Sequence, residues 1–164
     1  MASACVLQAK VYLFCGIKGN VRLNSIEMIS DSSLVPQSTA RWELVEVPKN
    51  ILKSHANPAV VPINDTEIVI FGGFCIPVYD QDSEVVVFNT TTKQGEKMSA
   101  GDKKFYVIKN QCAQAGHNKV VALAWSKDNN KPAVITWTKG AKAINILDRL
   151  EKKSACIIYW ESTD

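Results

Sequence analysis

Helical periodicity is absent from this chain. No segment of ten or more residues keeps a clear 3.6-residue spacing of apolar side chains, and residues 143–153 come closest. Long hydrophobic runs are absent too: none approaches the roughly 20 residues a helix needs to cross a bilayer. The opening Met1-Ala-Ser-Ala-Cys-Val-Leu-Gln8 lacks the basic start and apolar stretch of a secretory leader. The expectation is a cytoplasmic chain without membrane contact. Only two histidines occur, His55 and His117, which leaves little for base-activated nucleophiles, so no catalytic residue is assigned. The five cysteines (Cys5, Cys15, Cys75, Cys112, Cys156) are odd in number, and no pair has CxxC spacing, which disfavours a zinc or redox site. They read as small apolar packing residues. Gly72-Gly73 is not followed by the Lys and helix start of a phosphate loop. Asp80-Gln81-Asp82, with Glu84, falls short of the ligand count of a calcium loop. Neither a metal nor a cofactor is expected.

What is present suits a globular fold. The 164 residues are 46% hydrophobic and 21% charged, enough for one domain with a real core over 1–164. The net charge of +3 is unevenly spread. Six Lys or Arg face nine Asp or Glu over 1–92, whereas thirteen face five over 93–153. The basic residues stand singly or in pairs between apolar ones, the pattern of a solvated strand surface. Docking on nucleic acid or an acidic polymer is the less favoured reading, and it predicts binding that collapses with salt.

Three apolar segments recur at one offset. Ile26, Val85 and Ile144 lie 59 residues apart, twice over, and open the same alternation. Ser30, Asn89 and Asp148 follow as polar stops. Trp42 and Trp160 each lie 16 residues beyond Ile26 and Ile144, and each precedes a Glu. Such a period is the mark of a repeated structural unit. Runs rich in branched and aromatic residues, such as Val11-Tyr-Leu-Phe14 and Ile68-Val-Ile-Phe71, are strands bounded by turn residues. The polar links Gln8-Ala-Lys10 and Asn64-Asp65-Thr66 read as hairpin turns. The triplets at Asn64 and Asn89 match the glycosylation pattern by chance, the second marking a strand end.

Each unit is expected to hold four strands: 2–7, 11–15, 25–30 and 41–47; then 57–63, 67–72, 84–90 and 104–109; then 118–125, 133–138, 143–148 and 156–161. The units span about 1–50, 51–112 and 113–164. The fold class is therefore all-β, with about three four-stranded antiparallel blades of the size found in propellers.

The stretch from His55 to Gly73 resembles a kelch repeat: a His before the first strand, a hydrophobic second strand and a Gly-Gly doublet. Cys15-Gly16 and Gly140 stand where the other units would carry the doublet, Trp42 and Trp160 match the family's tryptophan, and His117 echoes His55. The resemblance implies scaffold roles for these residues, with each tryptophan buried between sheets, and non-enzymatic binding of protein partners through loops on one face of the disc. The loop holding Ile76, Pro77, Tyr79 and Asp80 is the most apolar candidate. Lys18 and Arg22 sit in its counterpart in the first unit, and Lys139 and Lys142 in the third. Propellers close with about four to eight blades. Three blades leave two open faces, which implies a longer propeller, a homodimer sharing one ring, or burial against another protein in a larger assembly. An enzyme whose catalytic groups lie on further blades is the alternative.

Overall fold

The computed structural model describes residues 2–30, 42–48, 50–52, 58–72, 85–98, 105–126, 131–141 and 144–147. They form twelve strands: β1 (Ser3–Leu7), β2 (Lys10–Lys18), β3 (Val21–Ser30), β4 (Glu43–Val45), β5 (Ala59–Pro62), β6 (Glu67–Phe71), β7 (Val85–Asn89), β8 (Gln94–Met98), β9 (Phe105–Gln114), β10 (Lys119–Ser126), β11 (Lys131–Thr138) and β12 (Asn145–Leu147). They assemble into three four-stranded antiparallel sheets with orders β1-β2-β3-β4, β5-β6-β7-β8 and β9-β10-β11-β12. The fold is all-β. Among the described residues no helix is long and apolar enough to cross a membrane.

The middle sheet lies between the other two. Its central strands read Glu67-Ile-Val-Ile-Phe71 and Val85-Val-Val-Phe88, with every one of these positions buried. Continuous apolar runs are what a strand needs when both of its faces are covered. Ile68, Ile70, Val86 and Phe88 point toward the first sheet, meeting Leu7, Tyr12, Phe14 and Ile26. Val69, Phe71, Val85 and Val87 point the other way, onto Val120, Ala122, Ile135 and Trp137 of the third sheet. Each fully buried Phe or Ile contributes roughly 1.5–3 kcal/mol of transfer free energy. The first strands β1, β5 and β9 run beside one another, β5 touching both.

The outer sheets keep the alternation of half-buried strands. In β10 the pattern is strict: Val120, Ala122, Ala124 and Ser126 are buried, while Val121, Leu123 and Trp125 are half-buried. In the first sheet the cross-strand partners Val6, Val11 and Ile29 share the face turned away from the middle sheet. Leu13 and Leu44 share it as well. Val6 is 63% exposed and Leu44 67%, so this face is open.

Sequence and structure part in the third sheet. Residues 104–109, expected as the last strand of the second unit, belong to β9, the first strand of the third sheet. The true fourth strand of the middle sheet is β8, a polar edge strand. Every later strand is thereby displaced by one: 118–125 forms the second strand, 133–138 the third and 143–148 the fourth. Residues 156–161 lie outside the described residues. The interval of 59 residues thus relates Ile26 to Val85, both in third strands, but brings Ile144 to the edge of β12. Asp148 lies outside the described residues, and Thr138 holds its expected place: Lys10↔Ser30, Glu67↔Asn89 and Lys119↔Thr138 open equivalent pairings. His117 precedes a second strand, so it is no counterpart of His55, which lies outside the described residues. Gly140 follows the third strand of its sheet, whereas Gly72 follows the second of its own. Trp42 is 47% exposed beside β4 and is not buried between sheets, as the resemblance implied.

Candidate functional site

A polar latch joins the second and third sheets at one end. It starts at Asn64 in the β5–β6 turn. Asn64 Oδ1 accepts from the backbone N–H groups of Thr66 and Glu67, both at 2.9 Å, which closes the turn on itself. Asn64 Nδ2 then donates to Glu67 Oε2 and to Asn118 Oδ1, each at 2.7 Å. Lys139, just beyond β11, donates from Nζ to Glu67 Oε2 at 2.6 Å. Backbone bonds hold the same parts together: Asn118 N–H donates to Ile63 O at 3.0 Å, and Lys139 N–H to Asn118 O at 2.8 Å. Gln114 Nε2 also donates to Ile63 O, at 2.8 Å.

The latch fixes the charge of Glu67. Burial alone would raise its carboxyl pKa, but hydrogen bonds from Lys139, Asn64 and Asn89 and the charge of Lys139 outweigh burial and hold it below the ordinary value. Glu67 therefore stays ionised and Lys139 neutralises it.

Beside the latch lies a cleft of about 500 Å³. Its walls include Val87, Glu96 and Met98 of the middle sheet and Trp137, Lys139 and Ala141 of the third. Trp137 is 2% exposed, and its buried Nε1–H has no hydrogen-bond partner among the described residues. A smaller cleft of about 240 Å³ occupies the same place between the first and second sheets, lined by Lys10, Met28, Glu43, Val45, Thr90 and Lys93. The pairing register makes the two equivalent. Glu43 stands opposite Met28 as Glu96 stands opposite Val87, and Val45 opposite Ile26 as Met98 opposite Val85. Phe88, opposite Ile68, corresponds to Trp137, opposite Val120. Thr90 likewise corresponds to Lys139, and its side chain reaches back to Tyr12 as Lys139 reaches back to Glu67.

Of the residues singled out from sequence, Lys139 is in this cleft. Lys18 is exposed at the end of β2, opposite Val21, and Arg22 lies in β3, opposite Ile17. The segment expected as a loop between them is a strand hairpin that turns at Gly19-Asn20, after a register shift between Phe14 and Gly16. Ile76, Pro77, Tyr79, Asp80 and Lys142 lie outside the described residues. Glu67, Asn118 and Trp137 were not foreseen. Asn64 was read as part of a hairpin turn, which it is, and as a chance glycosylation triplet, and its amide is spent inside the protein. Asn89, the other such position, accepts from the N–H groups of Thr91 and Thr92 and closes the β7–β8 turn.

The described thiols suit packing more than chemistry. Burial, with a smaller effect from nearby Cys112, pushes Cys5 up to about 12, and burial pushes Cys112 up to about 11. Among the described residues no group of three His, Cys, Asp or Glu could hold a metal ion. Comparison with known proteins yields no family model that matches the chain. No curated protein matches it in sequence.

Proposed function

We propose that this chain is a non-enzymatic interaction and assembly module of propeller type, in which the three sheets are successive blades and the end of the stack is completed by another protein surface. One observation carries the reading. The outward face of the first sheet presents Val6, Val11, Leu13, Ile29 and Leu44, with Glu27 the one charge paired among them. Val6 and Leu44 are about two-thirds exposed, at 63% and 67%. Trp42, 47% exposed, adds to the apolar surface next to β4. Soluble chains rarely leave such a contiguous face to water. The inner faces show what it can accept, since each sheet already packs an apolar face against the next. The kelch-like reading supports the same role in its first two units, which correspond strand for strand once β8 takes the place expected for 104–109, and Lys18 and Arg22 on the β2–β3 hairpin are proposed as contacts beside that face. The proposed partners are proteins, including a second copy of this chain.

Light scattering over a concentration series tests the reading. The expected result is a mass at or above twice the 18.1 kDa chain, lowered to the monomer value in a Val6→Lys, Leu44→Lys variant whose melting temperature is not reduced. A wild-type chain that stays monomeric at every concentration and binds no hydrophobic dye would refute it.

A further inference from the structure

We infer that a second copy of this chain covers the open face of the first sheet, laying the far face of its own third sheet on it, so that two chains close one ring of six sheets. This rests on the interaction-module reading and names its partner. The chain already makes the same contact twice. Its sheets correspond residue for residue in their central strands, since Lys10↔Ser30, Glu67↔Asn89 and Lys119↔Thr138 open equivalent pairings. The face of the first sheet that holds Tyr12 and Phe14 packs on the face of the second that holds Ile68 and Phe88. One sheet further on, Val69 and Phe71, the equivalents of Tyr12 and Phe14, pack on Val120 and Trp137, the equivalents of Ile68 and Phe88.

One face of each kind is left over. On the first sheet, Val11, Leu13 and Ile29 are the equivalents of Ile68, Ile70 and Phe88; on the third, Val121, Leu123 and Thr136 are the equivalents of Val69, Phe71 and Val87. Both trios are half-buried, and neither joins a core among the described residues. The middle sheet stands between them, so a chain does not bring its own two end faces together. A second copy does. A head-to-tail contact made at both ends closes a ring when the rotation allows. Three sheets from each chain give six, within the about four to eight on which such rings close. Strands β1, β5 and β9 already run side by side, as inner strands about one axis do. One residue sets the strength. Glu27 stands opposite Leu13, where Val86 stands opposite Ile70 and Ile135 opposite Ala122. Val86 and Ile135 are buried in their interfaces. Glu27 is thus carried into an apolar contact, a cost neither internal junction bears, and the joint between chains opens on dilution.

The test mixes two variants, each spoiled on one face: Val6→Lys with Leu44→Lys on the first sheet, and Val121→Lys with Leu123→Lys on the third. Light scattering should give twice the 18.1 kDa chain for the wild type and the monomer mass for either variant alone. Their equimolar mixture should recover the doubled mass, at higher concentration than the wild type, because one intact face from each still makes one joint. Glu27→Leu should lower the midpoint concentration of assembly by about tenfold. A third-sheet variant that still pairs with itself sets two first sheets face to face, which overturns the inference and leaves the assembly reading in place. A mixture that stays monomeric while the wild type assembles has the same meaning, as does a mass that climbs without limit. A wild type that is monomeric at every concentration overturns both. Where the third-sheet variant melts below the wild type, Thr136→Arg on the same face takes its place. If that variant melts lower as well, the face is covered within its own chain and the inference falls.

Discussion

Glu67 is a carboxylate placed at the head of an otherwise apolar strand, and its partners make the junction of two sheets sensitive to acid. Its folded pKa lies below the ordinary 4.5, so its contribution is fully present above the unfolded value and is lost as pH falls through the lower folded one. Thermal melts should accordingly show the wild type losing stability below about pH 4.5 more steeply than Glu67→Gln, with the two slopes converging once the wild-type carboxyl is protonated. At neutral pH, Lys139→Met should cost about 1–3 kcal/mol, because it leaves the mostly buried Glu67 carboxylate short of a donor. Gly95 is a second residue with a specific demand. A Cβ there would collide with the side chain of Ile51, which packs across β8. Gly95→Ala should destabilise by about 1–3 kcal/mol as an overpacked site, and Ile51→Ala in the same chain should recover part of that loss. Chemical denaturation of the three variants measures both effects.

Among the elements, legibility followed burial. The strands of the middle sheet announce themselves because every residue from Ile68 to Phe71 and from Val85 to Phe88 is buried and apolar. Strand β8, Gln94-Gly-Glu-Lys-Met98, stands at the sheet edge with mostly exposed side chains and no apolar signature. It was therefore passed over, β9 was taken in its place, and the third unit slipped by one strand. The candidate site suffered in the same way. Lys139 drew notice as a basic turn residue, but its partner Glu67 was hidden inside an apolar run, and Asn64 and Asn118 make a contact across 54 residues that no local pattern displays. Turn chemistry offers a test at this scale. The β1–β2 hairpin turns on Gln8 and Ala9, with φ of 49° and 53°. Left-handed backbone is costly for these side chains and suits Asn-Gly in a two-residue turn. Replacing the pair, Gln8→Asn with Ala9→Gly, should raise stability by about 1 kcal/mol, visible as a higher melting temperature.

At the scale of the whole molecule, the three sheets share two cores that meet on opposite faces of one sheet. Native-state hydrogen exchange should find the amides of β6 and β7 the slowest, and those of β4 and β12, three-residue strands at sheet edges, the fastest. Exchange as fast in β6 as in β4 would show that the middle sheet is not the organising unit. The same double burial bears on how the protein is made. A nascent chain that has emerged only as far as Met98 carries Val69, Phe71, Val85 and Val87 with nothing yet synthesised to cover them. Until the third sheet leaves the ribosome, that bare side invites chaperones or a neighbouring newborn chain.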